Sequence, residues 1–172
     1  MASPLDSFAD GKAKEHMQNI SDAPIEALDA HTISRGVLRL LSDRGLNGLT
    51  EMTLANGRRA DIAAIDPKGR ITIVEIKSSV ADFRSDNKWP EYQPFCDQFY
   101  FAVSASFPAD LIPDETGLII ADGFGGAIVR DAPEVPLNAA RRKAVTLRFA
   151  RLAAQRLSAM HDPRLDGHRA SV

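Results

Sequence analysis

Hydrophobic positions along this chain keep two different periods, and the switch between them divides it. Across residues 25–44 the apolar side chains Ile25, Leu28, Ile33, Val37, Leu38, Leu40 and Leu41 recur as one face of a helix, with Gly45 as the stop and Thr32 or Ser34 as the cap. From residue 49 the period falls to two. Residues 49–54, 59–65 and 71–77 predict three strands, separated by Ala55-Asn56-Gly57 and by Asp66-Pro67-Lys68-Gly69-Arg70, both built from turn formers. Ser78 and Ser79 predict the start of a helix that runs to about residue 87 with Val80 and Phe83 inward, and Pro90 opens a second short helix.

Three further strands are expected over residues 98–104, 117–121 and 126–129, with a helical turn at 108–111. Residues 138–160 read as one long helix. Arg141, Arg142, Lys143, Arg148, Arg151 and Arg156 occur in it without an acid, and Val145, Leu147, Phe149, Leu152 and Leu157 are its apolar anchors. Strands and helices that alternate after an initial hairpin predict an α/β fold, a mixed sheet flanked by helices on both faces, closed by this basic C-terminal helix. The expected domain covers residues 25–160. Residues 1–24 lack sustained periodicity and predict a mobile tail with a short helix near 12–20, and 161–172 predict a disordered one.

Composition narrows the picture. A chain of 172 residues accommodates one domain with a real core. Its net charge of −2 rules out a uniformly basic coat, so any nucleic-acid contact has to come from local patches. The one cysteine, Cys96, forms no internal disulfide, suits a reducing cytoplasm and reads as a small buried hydrophobe. No apolar run approaches ~20 residues, and the first residues lack the charged lead and apolar stretch of a signal peptide, so the expected location is the cytoplasm and not the membrane.

The chemistry is concentrated in the second and third strands. Period two puts Ile71, Ile73, Glu75 and Lys77 on one face. Asp61 shares a face with Ala63 and Ile65 on a strand otherwise apolar beyond Arg59. If Pro67-Lys68-Gly69 is a three-residue loop, Ile65 pairs with Ile71, Ala63 with Ile73 and Asp61 with Glu75, their Cβ atoms roughly 5 Å apart. A two-residue loop would set Asp61 opposite Val74 and dissolve the site. At the previous turn, a three-residue loop ending in Gly57 adds Glu51 to the acidic pair, and a two-residue Asn56-Gly57 turn puts Met52 there instead. Two neighbouring carboxylates repel unless a cation lies between them, and hard oxygen ligands suit Mg2+ or Mn2+ better than zinc. With Lys77 beside them to orient a water or meet a phosphate oxygen, they are equipped for metal-assisted phosphodiester hydrolysis.

Asp61 followed by Glu75-Ile76-Lys77 resembles the PD-(D/E)xK nuclease signature, with Ala60 where the name has proline. A longer stretch, from GVLRLLSDRGLNGLTEMTLANGRRADIAAIDPKGRITIVEIKSS through the basic NAARRKAVTLRFARLAA, resembles MmcB-type bacterial DNA repair endonucleases over about residues 33–157. The resemblance implies a restriction endonuclease-like fold and an endonuclease acting in DNA repair. It assigns Asp61, Glu75 and the Ile76 carbonyl to Mg2+ or Mn2+, and Lys77 to the attacking water. It also points to Gln93 as a polar residue facing the site from the following helix, and to Glu26 or Asp29 as an extra acidic ligand on the first helix.

Candidate DNA contacts are Arg58 and Arg59 at the hairpin mouth, Ser78 and Lys88 after the third strand, and Arg141, Arg142 and Lys143 on the basic helix. Trp89 and Tyr92 have the rings to stack on a base, but beside Phe95 they read as core. Asp97 reads as a structural cap at the edge of the site. A rival reading keeps the fold and DNA surface as a catalytically inactive, structure-binding repair accessory. RNA or a free nucleotide as substrate, a homodimer, and contact with other repair proteins all stay open.

Overall fold

The computed structural model describes residues 28–85 and 88–163. The expected tail at 1–24 and its short helix, Glu26, and most of the tail from 161 lie outside them. Helix α1 (Ala30–Asp43) is capped by Asp29, whose Oδ1 accepts the Thr32 N–H at 2.7 Å, so Thr32 is the donor rather than the cap. It starts later than the apolar spacing suggests and ends before Gly45, which takes the left-handed φ of 77°. Its buried side chains are Ile33, Val37, Leu40 and Leu41.

A three-strand meander follows: β1 (Asn47–Thr53), β2 (Arg59–Ile65) and β3 (Ile71–Lys77), each antiparallel to the next. Both reversals are three-residue loops. Leu54 N–H donates to the Arg58 carbonyl and Asp66 N–H to that of Arg70, with Gly57 and Gly69 at φ of 82° and 79°. The register is therefore the one that the turn chemistry predicts: Ile65↔Ile71, Ala63↔Ile73 and Ile62↔Val74. Ser79 Oγ then accepts the Asp82 N–H at the start of α2 (Val80–Ser85), which leads into 3-10 turns at Trp89–Glu91 and Gln93–Phe95.

Strand β4 (Gln98–Val103) runs parallel to β3, and β5 (Gly117–Ala121) parallel to β4. Strand β6 (Gly126–Arg130) closes the sheet antiparallel to β5, giving the order β1-β2-β3-β4-β5-β6. Helix α1 covers one face, over Ile62, Ala64, Val74, Ile76, Tyr100 and Ile119. The other face carries Ala63, Ile71, Ile73, Phe99, Phe101 and Val103 beneath α2, the 3-10 turns and the long helix α3 (Ala139–His161). Trp89 belongs to this layer. Its ring stacks on Phe99 with centroids 5.8 Å apart, and Tyr92 stacks on Phe99 from 5.9 Å.

α3 is attached differently from the expectation. Val145 is buried and Phe149 and Leu152 pack against the core, but Leu147 and Leu157 are exposed. Polar anchors take their place. Arg142 forks onto the buried Asp97 at 2.6 and 2.8 Å, Arg141 lies over the Phe95 ring at 4.8 Å, and Arg156 donates to the Thr50 carbonyl at 2.7 Å. Asp97 also accepts the N–H groups of Ile71 and Leu137, so one carboxylate ties β3, the approach to α3 and α3 itself together.

Candidate active site

Asp61 lies where the ladder fails. Both β2 and β3 continue past the Ile62↔Val74 pair, but their pairing stops there. The Ile76 N–H is taken by Asp61 Oδ2 at 2.8 Å. The carboxylate thus fills the seam between the strands. On its other side Thr50↔Ile62 and Met52↔Ala60 pair, and the intervening Glu51 and Asp61 do not. Glu51 has φ of 49°, the one described residue other than glycine in the left-handed region. Strict alternation consequently breaks at this level: Ala60 and Met52 join the core of Ala63, not that of Ile62. A parity count carried across both strands misses this break.

Glu75 and Lys77 share one face as the alternation predicts, and both are buried, 5% and 3% exposed. Lys77 Nζ stands 3.4 Å from Glu75 Oε1. Burial raises the Asp61 carboxyl above its ordinary pKa. The Ile76 N–H and the charges of Lys77 and Arg59 oppose the shift, and Asp82 reinforces it. Asp82, on the first turn of α2, was not singled out in the sequence; the acid two residues before Arg84 looks like an ordinary surface charge until the fold brings it near Asp61.

Other sequence-derived candidates separate from this center. Glu51 stands at the level of Asp61 but is exposed and pairs with Arg59 at 3.5 Å. Arg58 is held in a two-pronged bond to Glu91 at 2.7 and 2.8 Å. Gln93 sits on a 3-10 turn, not on the helix after β3; it is exposed, and its side chain makes no hydrogen bond to Asp61, Glu75 or Lys77. Asp29 is occupied as the α1 cap. Ser78 directly follows Lys77 and is half-buried, Lys88 and Lys143 are exposed, and Arg141 and Arg142 are spent on docking α3.

As a donor set, Asp61 Oδ1 accepts no hydrogen bond from the described residues, and carboxylate and carbonyl oxygens suit a hard divalent cation. Among the described residues no cluster of three or more acidic, histidine or cysteine ligands forms. Among them also, no helix is long and apolar enough to cross a membrane.

The class defined by these features is an α/β protein with a six-stranded mixed sheet flanked by helices, consistent with a restriction endonuclease-like fold, whose β2–β3 hairpin gathers two acids and a lysine. The chain belongs to the MmcB-like DNA repair protein family, whose model matches residues 19–164. It is also similar to the solved structure of SPO1766, a protein of unknown function from Silicibacter pomeroyi, with 42% identity and a TM-score of 0.78 over 86% of this chain and 100% of that one. No curated protein matches it.

Proposed function

We propose that this chain is a metal-dependent DNA endonuclease acting in repair, hydrolysing phosphodiester bonds at Asp61, Glu75 and Lys77. The observation that carries the reading is the seating of the Asp61 carboxylate in the open β2–β3 seam, beside a buried Glu75–Lys77 pair. A hairpin that only needed to fold would close that seam with backbone hydrogen bonds. Mg2+ or Mn2+ bound by Asp61, Glu75 and the Ile76 carbonyl would supply charge neutralisation and an activated water. The Ile76 N–H holds Asp61 through Oδ2, and Oδ1, which accepts no hydrogen bond from the described residues, is the oxygen that would bind the ion. Lys77 opposes the negative charge of Glu75 and is placed to hold the attacking water by hydrogen bonding.

Family membership in DNA repair supports DNA as the substrate. The exposed Lys143, Arg148 and Arg151 on α3 offer it a cationic surface. The test is nicking of supercoiled plasmid and cutting of branched DNA with Mg2+ or Mn2+, wild type beside Asp61→Asn and Lys77→Ala. The proposal predicts metal-dependent cutting that both substitutions reduce at least ~100-fold, within the range general acid–base groups contribute. Normal cutting by Asp61→Asn would sink it.

A second reading draws on the burial of Glu75 and Lys77 against each other, which partly neutralises the charges a metal and a water would use. On that reading the chain is an inactive accessory that binds DNA structure. DNA binding independent of metal, without cutting, would favour it.

A further inference from the structure

The turn joining β5 to β6 carries a side chain that the fold does not use. Phe124 is 82% exposed, although a phenyl ring stabilises a fold only where it leaves water. The backbone beneath it is held from several sides. Asp122 Oδ1 accepts the N–H groups of Phe124 at 2.7 Å and Gly125 at 2.9 Å, and the Asp122 N–H donates to the Gly125 carbonyl at 3.0 Å. From α1, Arg35 Nε donates to the Gly123 carbonyl at 2.8 Å, and Arg39 donates to the Gly123 and Phe124 carbonyls at 3.2 and 3.1 Å. Gly36 makes this approach feasible, since a Cβ there would collide with the carbonyl oxygens of Asp122 and Gly125. The result is an aromatic ring on a fixed base, next to two exposed arginines whose guanidinium groups bond the turn's backbone.

Its position is set by the parallel strands. Lys77 pairs with Val103 and Val103 with Ile120, so the turn after Ala121 rises from the sheet edge where β3 ends in Lys77. Two strand spacings separate β3 from β5, roughly 10 Å. The turn is bonded to α1 and Glu75 faces the opposite layer, so one ligand touching both would cross this edge. A nucleic-acid strand suits such a path: its phosphates carry the charge that arginine attracts, and an unpaired base offers a flat face to a ring. A fully stacked duplex offers no such face.

We propose that Phe124 is a base-stacking residue and that the substrate class of the site is DNA with an interrupted stack, such as a gap, flap or bubble. The proposal rests on the nuclease reading for the site that it serves, but binding tests it separately from cutting. The full chain is titrated, in EDTA, against one duplex and against the same duplex carrying a short bubble with 2-aminopurine. Wild type is compared with Phe124→Ala, Phe124→Leu and Phe124→Trp, all at an exposed position where the thermal midpoint should not move.

The expected result is tighter binding to the bubble than to duplex and a fluorescence change on binding. Phe124→Ala and Phe124→Leu then lose roughly 5- to 150-fold on the bubble only, the range covered by stacking one base, and Phe124→Trp keeps the preference. Equal bubble affinity for wild type and Phe124→Ala overturns the inference, as does equal loss on both DNAs or absence of DNA binding. Rescue by leucine as complete as by tryptophan overturns it too, and marks an apolar protein contact instead. Selective bubble binding without metal-dependent cutting removes the nuclease reading alone. Cutting by Phe124→Ala with undiminished bubble preference removes this inference alone.

Discussion

Arg142 and Asp97 meet in a two-pronged salt bridge, Nη1 and Nη2 at 2.8 and 2.6 Å from the two carboxylate oxygens, across 45 residues of chain. Asp97 is 2% exposed and would suffer from that burial were it alone. The Arg142 fork and the N–H groups of Ile71 and Leu137 outweigh the desolvation and hold its pKa below the ordinary carboxylate range. An arginine that looks like a phosphate ligand in the sequence is thus a bolt for α3.

Arg142→Ala leaves that carboxylate buried without its counter-charge, and should cost about 3–5 kcal/mol in urea unfolding. Arg142→Lys should recover only part, because a lysine cannot repeat the planar fork. If the alanine variant unfolds like wild type and loses only DNA affinity, the structural role assigned to Arg142 is wrong.

Asp61 and Asp97 predict opposite responses to pH. Burial raises the folded pKa of Asp61 above its ordinary 3.8, so its favourable contribution is present below that value and lost as pH rises through the raised one. Asp61→Asn should therefore stabilise the metal-free chain at neutral pH and converge with wild type in acid. For Asp97 the folded pKa is lowered, so its contribution is present above 3.8 and lost as pH falls through the lowered value. Asp97→Asn should destabilise at neutral pH, with the penalty shrinking in strong acid. Thermal midpoints across pH 2–7, about the span of these titrations, check both signs.

Glu51 holds a left-handed backbone at φ 49°, a conformation that costs about 1–3 kcal/mol for a residue with a Cβ. Its exposed ion pair with Arg59 returns little. Glu51→Gly should raise stability by about 1 kcal/mol, read from the denaturant midpoint. A simultaneous fall in the proposed DNA cutting would tie the strained backbone to the placement of Asp61; a drop in stability would remove strain as an explanation.

Cys96 is buried, and burial first, then the neighbouring Asp97, pushes its thiol up to about 12. Iodoacetamide should leave the folded chain unmodified at pH 8 and label it once urea unfolds it. Rapid labelling in the absence of denaturant would contradict the packing around the second 3-10 turn.

Local chemistry made the hairpin legible. Pro67 with Gly69 specifies a three-residue reversal, and from it the pairing down to Ile62↔Val74 follows by counting, whereas Asn56-Gly57 is compatible with a two- or a three-residue loop and the longer one is seen only in the fold. The long helix was legible from its length of continuous helix formers capped by Asn138. Roles decided by distant partners were not. Arg142 needs Asp97, Arg156 needs Thr50, and Arg58 needs Glu91, and none of these pairs leaves a mark in local periodicity. Leu147 and Leu157 suggest anchors by composition alone, yet the helix contacts the sheet through a narrower stripe around Val145, Phe149 and Leu152. At the site, counting by twos sets Asp61 opposite Glu75 on one side and Glu51 on the other, but the ladder stops at Ile62↔Val74 and skips the Glu51 position, where the backbone turns left-handed.

Arg156 reaches from the far end of α3 to the Thr50 carbonyl on β1, the outermost strand of the meander. A side chain bonded to that carbonyl, next to a residue turned left-handed, denies another chain a straight margin on which to add a seventh strand. The helix that carries the positive charge thus also guards the β1 margin, so clipping α3 should expose an adhesive border as well as weaken the proposed attraction to DNA.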